Sequence, residues 1–180
     1  MLSEATFIEQ LKDKATQEEA FRTLVSKYKE RLYWHIRRMV FNHDDADDVL
    51  QNTFIKVYRN IGGFKGNSAL FSWMYRIATN EALTFLSSKA QKYRVSSEEL
   101  QQKMAEGLKA DVYFEGDAIQ LKLQQAVATL PEKQRLVFTM KYFEEMKYEE
   151  MSEILDTSVG SLKASYHHAV KKIEQYVTAD

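Results

Sequence analysis

Residues 144–173 read EEMKYEEMSEILDTSVGSLKASYHHAVKKI. The first thirteen, Glu144–Asp156, hold six acids and one lysine; the next seventeen, Thr157–Ile173, hold three lysines, two adjacent histidines and no acid. The change of sign coincides with a change of element. Tyr148, Met151, Ile154 and Leu155 recur at three and four residues, which predicts a two-turn helix with one apolar side. Val159, Leu162, Tyr166, Ala169, Val170, Ile173 and Val177 predict a longer one. Between them stand Asp156, Thr157 and Ser158. Aspartate tolerates the left-handed backbone of a sharp turn, and the Ser158 hydroxyl can cap the last helix. A short helix, a three-residue turn and a second helix with one apolar face make a helix-turn-helix. The outward face of its last helix carries Ser161, Lys163, Ala164, His167, His168, Lys171 and Lys172. Small residues there let a backbone approach a groove, and lysines meet phosphates or guanine edges. A basic helix face is in general only a solvated one. The complete loss of acids directly after an acidic helix favours a nucleic-acid face instead.

Outward from this motif the chain stays helical. With six glycines and one proline in 180 residues, it is too poor in turn formers for an all-β chain. The second unit begins near Ala118. Leu121, Leu123, Val127 and Leu130 predict a helix ending before Pro131, where proline suits a first helical turn. The next helix, from Pro131 to about Phe143, should bury Leu136, Val137, Met140 and either Tyr142 or Phe143. Residues 93–117 read as a linker: apolar spacing fades, and Ser96–Asp117 carries six acids against two lysines. A short helix fits within it. As flexible coil it would span roughly 25–30 Å.

The first unit covers residues 1–92. Phe21, Leu24, Val25, Tyr28, Leu32, Ile36, Met39 and Val40 define one buried helix face. Ala46, Val49, Leu50, Phe54, Val57, Tyr58 and Ile61 define a second, after His43. A glycine-rich loop, Gly62 to Ser68, leads into a third helix from about Ala69 to Lys89. From Gln51 to Arg94 there are seven basic residues and one acid. Phe64, Phe71, Trp73 and Tyr75 interleave with them. Basic residues track a phosphate backbone and aromatic faces stack on exposed bases, a pairing that suits single-stranded or opened DNA. The plainer reading makes these aromatics core. Upstream, the acids of His43-Asp44-Asp45-Ala46-Asp47-Asp48 exceed what one helix start uses, which points to a basic protein partner.

The expected fold class is therefore all-α, two small helical domains joined by a linker, with boundaries 1–92, 93–117 and 118–180. There is no cysteine, hence no disulfide frame and no thiolate metal site. No apolar run approaches the ~18 residues of a membrane span, and the amino terminus lacks the layout of a signal peptide, so a cytoplasmic protein with no membrane insertion of its own is expected. Neither a GK[ST] phosphate loop nor HExxH is present. His167 and His168 point about 100° apart on a helix, a poor metal pair, and isolated His35 and His43 read as surface or satisfied residues. No enzyme, cofactor or metal is expected.

Two long segments resemble a known family. DADDVLQNTFIKVYRNIGGFKGNSALFSWMYRIATNEALTFL, residues 45–86, resembles region 2 of bacterial sigma factors of the extracytoplasmic-function group. LPEKQRLVFTMKYFEEMKYEEMSEILDTSVGSLKASYHHAVKKI, residues 130–173, is similar to their region 4. The resemblance implies a subunit that binds core RNA polymerase and directs transcription initiation at promoters by recognising their −10 and −35 elements, under the control of an anti-sigma factor. It assigns polymerase binding to Asp47, Asp48, Gln51, Asn52 and Lys56. It assigns −10 binding, with capture of a flipped-out base, to Phe64, Lys65, Asn67, Ser68, Trp73, Arg76, Ile77 and Asn80. It assigns the −35 major groove to Ser161, Lys163, Ala164, His167, His168 and Lys171. The linker takes the place of one that threads the polymerase channel.

This chain departs from its relatives in three places. Asp156 stands where many carry glycine, Lys147 where serine often caps a helix, and lysines where arginines are common on the recognition helix. Lysine lacks the guanidinium fork, so base readout would be softer. A stand-alone helix-turn-helix regulator, or a helical adaptor that binds only protein, are the competing readings.

Overall fold

The computed structural model describes residues 1–107 and 117–179. Among them, all regular structure is helical. Three long helices form the first unit: α2 (Gln17–Val40), α3 (His43–Asn60) and α4 (Leu70–Tyr93), preceded by α1 (Glu4–Lys12). Leu24, Leu32, Ile36 and Val40 of α2 meet Ala46 and Val57 of α3 and Met74, Tyr75, Ala78 and Ala82 of α4, all with no exposed surface. The tight α2–α3 corner is made by Phe41 in the left-handed region (φ 59°) and by Asn42, whose side chain accepts the Asp45 N–H at 3.0 Å. A left-handed aromatic residue is strained. Here the strain is offset by burial of the Phe41 ring against Ala105 and Ala128.

Helix α1 lies ahead of the first apolar stripe, which begins at Phe21, and periodicity does not predict it. It braces the glycine-rich loop at both ends. The Lys12 ammonium donates to the Phe64 carbonyl at 2.6 Å, and the Glu4 carboxylate accepts the Leu70 N–H at 2.8 Å. The cap position of helix α4 is Ala69, which has no capping side chain. Glu4 thus caps it from a distance.

The linker also holds more structure than its composition suggests. Residues 97–106 form α5 (Ser97–Glu106), closed by a capping box in which Ser96 and Glu99 exchange hydrogen bonds. Leu100 packs into the core of the first unit and Ala105 against Phe41 and Ala128, so α5 touches both units. The linker residues 108–116 lie outside the described residues.

The second unit comprises α6 (Ala118–Ala128), α7 (Glu132–Phe138), α8 (Tyr148–Leu155) and α9 (Val159–Thr178). Its own core gathers Ala126, Val127, Leu130, Phe138, Ala169 and Ile173. Phe138 is central, within 5.0–6.0 Å of the rings of Tyr142, Phe143 and Tyr166. Tyr142, one of the two core candidates after Met140, is 53% exposed, and Phe143 turns inward. The cause is a π-helical turn over Thr139–Phe143, which adds a residue to the turn and rotates the side chains after it. Asp156 takes the left-handed conformation (φ 49°, ψ 48°), and Ser158 caps α9 by accepting the Ser161 N–H at 3.2 Å. Lys147 supplies no cap from its side chain; the Glu150 carboxylate instead accepts the Lys147 N–H at 3.0 Å.

The two units are packed together. Met146, Met151, Ile154 and Leu162 belong to the same continuous core as α2, α3 and α4, because α8 lies against α4. His35 has no exposed surface; its Nδ1 is 2.7 Å from Glu144 and its Nε2 2.8 Å from the Thr79 hydroxyl. Among the described residues no helix is long and apolar enough to cross a membrane.

Candidate nucleic-acid interface

The last helix is held by its apolar stripe: Leu162 and Ala169 are fully buried and Ile173 nearly so. This turns Lys163, Ala164, His167, His168 and Lys171 outward, where all five are exposed. Ser161 sits half-buried at the rim, its hydroxyl 3.4 Å from the Lys133 ammonium. The Lys163 ammonium lies 5.7 Å from the face of Tyr148, which anchors its stem without hiding the charge. Burial raises the phenol pKa of both Tyr148 and Tyr166, so both remain neutral beside this basic face.

The loop before α4 is a second surface. A 3₁₀ turn, Ile61–Gly63, turns the chain, and Gly66 takes φ 73°, a conformation costly for any residue with a Cβ. Lys65 and Asn67 are exposed and Ser68 is half-buried. Phe64 corrects the expectation of an exposed stacking face. It is 5% exposed and packs on Trp73 at 5.0 Å, because Lys12 draws its carbonyl toward α1 and the ring turns into the core. Tyr75 is likewise fully buried, and the Phe71 face is covered by the Arg31 guanidinium at 4.1 Å. Core packing thus accounts for most of the aromatic interleaving.

On α4, Trp73 and Ile77 are partly buried while Arg76 and Asn80 are exposed. The Arg76 guanidinium donates to the backbone carbonyl of Glu153, in the last turn of α8. The helix-turn-helix therefore sits over part of this surface.

A third surface lies on α3. Asp48, Gln51, Asn52 and Lys56 are exposed and Asp47 is half-buried, 3.4 Å from His43. Lys56 is paired with Glu81 of α4, and Asp45 with Lys89 of α4 at 2.6 Å. Ile55 is 47% and Tyr58 43% exposed, so an apolar patch adjoins the polar residues. Tyr58, expected on the core stripe, lies instead at its edge, 5.0 Å from Phe21. Ile55 is the member of this surface that the sequence reading misses, although an isoleucine off the apolar stripe is itself a signal.

Comparison with known proteins places this architecture. Residues 24–92 match the model for sigma-70 region 2, and residues 120–173 that for sigma-70 region 4. The chain is 32% identical to the ECF RNA polymerase sigma-E factor of Haemophilus influenzae, over 94% of this chain and 97% of that protein. The chain belongs to the extracytoplasmic-function sigma factors. It is also 34% identical to the sigma factor SigW of Bacillus subtilis, over 86% of this chain and 87% of that one. Two solved structures share the fold: CnrH in complex with the cytosolic domain of CnrY (TM-score 0.70, 20% identity, 97% of both chains) and RpoE with the anti-sigma factor NepR from Bartonella quintana (TM-score 0.66, 17% identity, 89% of this chain and 98% of that one). As a sigma factor this protein directs RNA polymerase to promoters; sigma factors are initiation factors, not enzymes. The glycine-rich loop and α4 as far as residue 92 fall within the region 2 match, and α9 as far as residue 173 within the region 4 match.

Proposed function

We propose that the three surfaces divide the work of promoter recognition. The exposed side of α3, with Asp47, Asp48, Gln51 and Asn52, meets the polymerase clamp, with Ile55 adding apolar contact. Lys65, Asn67, Ser68, Trp73, Arg76, Ile77 and Asn80 form the −10 site, and Phe64 supports it from within. Ser161, Lys163, Ala164, His167, His168 and Lys171 enter the −35 major groove. The observation that carries this reading is the exposed face of α9 from Ser161 to Lys172, which holds lysines and histidines and no acid before Glu174. The boundaries proposed for the units are 1–92 and 118–180. The protein acts in the cytoplasm, and an anti-sigma factor controls it; CnrH and RpoE are seen with such cytosolic or anti-sigma partners.

The packed arrangement adds a condition. Arg76 is engaged by α8, so the −10 site must be uncovered before use. Polymerase supplies this by holding the two units apart at promoter spacing, after which the second DNA contact is intramolecular. Run-off transcription on promoter fragments tests it. Weak promoter binding by the free chain and specific open complexes with core enzyme are expected. Nanomolar duplex binding by the free chain at physiological salt, unaffected by core enzyme, would favour the stand-alone regulator.

A further inference from the structure

Arg135 of α7 is 3% exposed, and its Nη1 is sealed from solvent with no hydrogen-bond partner. The ion pairs among the described residues do not include it. Glu132, one turn earlier, is exposed and acts on it only through its field. The Phe41 ring is 5.9 Å from the guanidinium carbon. Burial lowers the group to about 10, so it remains charged at neutral pH. A buried, unpaired guanidinium is an unfavourable arrangement that proteins rarely keep without a counter-charge.

Nη1 itself is sealed by protein, but the rest of the Arg135 side chain borders open space where a counter-charge can sit. Arg135 lines a cavity of about 490 Å³ together with Thr84, Ser87 and Ser88 of α4, Ser97 and Gln101 of α5, and Glu132 of α7. Leucines of α4 and α5 supply apolar wall. Four hydroxyls, an amide and a guanidinium offer more donors than the two oxygens of a carboxylate can use. Phosphate oxygens match them better. The volume falls in the range of small-molecule sites and exceeds what a bare anion fills.

We propose that this cavity binds a phosphate-bearing small molecule, its phosphate held by Arg135, Ser87, Ser88 and Ser97 and its organic body resting on the leucine wall. The walls come from α4 and α5 on one side and α7 on the other, so the ligand joins the two units. Occupancy therefore favours the packed arrangement, and unpacking expels the ligand, since linkage is reciprocal. The binding site itself does not depend on which surface reads DNA.

The test uses the full chain, with thermal unfolding and amide NMR as readouts. Inorganic phosphate, ribose 5-phosphate, acetate and potassium chloride are titrated at matched ionic strength. Ribose 5-phosphate should raise Tm saturably and shift the Ser88 and Ser97 amides, at concentrations at least tenfold below inorganic phosphate. Arg135→Gln should weaken that response at least tenfold. Ser88→Asp, at an exposed position, places a carboxylate in the cavity; it should raise Tm without ligand and abolish the phosphate response. It decides the matter alone if Arg135→Gln fails to fold. Saturation by inorganic phosphate only would overturn the small-molecule assignment, and equal effects of acetate would overturn the phosphate one. Shifts matched by potassium chloride, or a phosphate response surviving both substitutions, would remove the site.

Discussion

Tyr75 has no exposed surface, and its hydroxyl donates to the carbonyl of Arg31 at 3.1 Å. Burial pushes its phenol well above the ordinary tyrosine range, helped by the nearby Glu144 charge. In the unfolded chain the same phenol releases its proton near pH 10. Above that pH the folded state holds more protons, so stability falls with rising pH, by up to ~1.4 kcal/mol per unit for this one group. Tyr75→Phe should cost about 1 kcal/mol at pH 7 through the lost hydrogen bond, yet show a shallower loss above pH 10. Urea midpoints from pH 7 to 11 check this; parallel curves for both proteins would assign the alkaline loss to Tyr148 and Tyr166. On the DNA side, Lys163→Ala should weaken −35-dependent transcription by ~1–3 kcal/mol and relax preference at one position if it reads a base edge. Lys171→Ala should weaken binding across all sequences and lower the salt slope by about one. Identical selection profiles for wild type and Lys163→Ala would make Lys163 a phosphate contact. Residues such as these are legible in the sequence because exposure and charge repeat along a helix. The role of His35 is not: it reads as a satisfied histidine, but its partner Glu144 lies 109 positions away and leaves no local pattern.

Helices α2, α3 and α9 are long, each with an apolar stripe, and periodicity alone locates them. Helices α1 and α5 bury few apolar side chains, Leu11 in the first and Leu100 and Ala105 in the second, so neither stripe stands out. What fixes them is polar chemistry that composition hides: the Ser3 cap on Thr6, the Ser96–Glu99 box, and the Glu4 and Lys12 contacts to the loop. The capping box matches the S-x-x-E pattern and is readable directly. The loop's dependence on α1 is not, since Lys12 and Phe64 lie 52 positions apart. Glu4→Gln with Lys12→Met should loosen residues 62–70 while leaving α2, α3 and α4 intact. The expected cost is ~1–3 kcal/mol from one distant cap and one charged hydrogen bond. Hydrogen exchange should quicken at the Leu70 amide and hardly at Ala78; unchanged protection at Leu70 would show that the loop holds itself.

The composition of each unit is readable, but their mutual packing is not, because the apolar residues that join them, among them Met146, Met151, Ile154 and Leu162, read in the sequence only as the inward faces of their own helices. Glu144 is the pivotal one. Its carboxylate meets buried His35, while its second oxygen is buried without a hydrogen-bond partner. It also shares a surface cavity with Lys27, Arg31 and Arg38. The Arg38 guanidinium, lowered by burial and raised by the Glu144 charge, lies 5.2 Å from the Phe143 ring. Glu144, alongside Glu30, thus faces a cluster of bases at the seam, and its imperfect satisfaction leaves the seam able to open. Glu144→Lys removes that acid and adds another cation to the cluster. Loss of a buried charge partner costs about 3 kcal/mol or more, so the ratio of packed to open form should fall over a hundredfold. Small-angle scattering should show a larger radius of gyration, with helical content unchanged by circular dichroism. The free variant should also bind single-stranded −10 DNA more tightly than wild type, since Arg76 is released from Glu153. A variant that stays compact and binds no better would mean that the apolar α4–α8 contact holds the units together without Glu144.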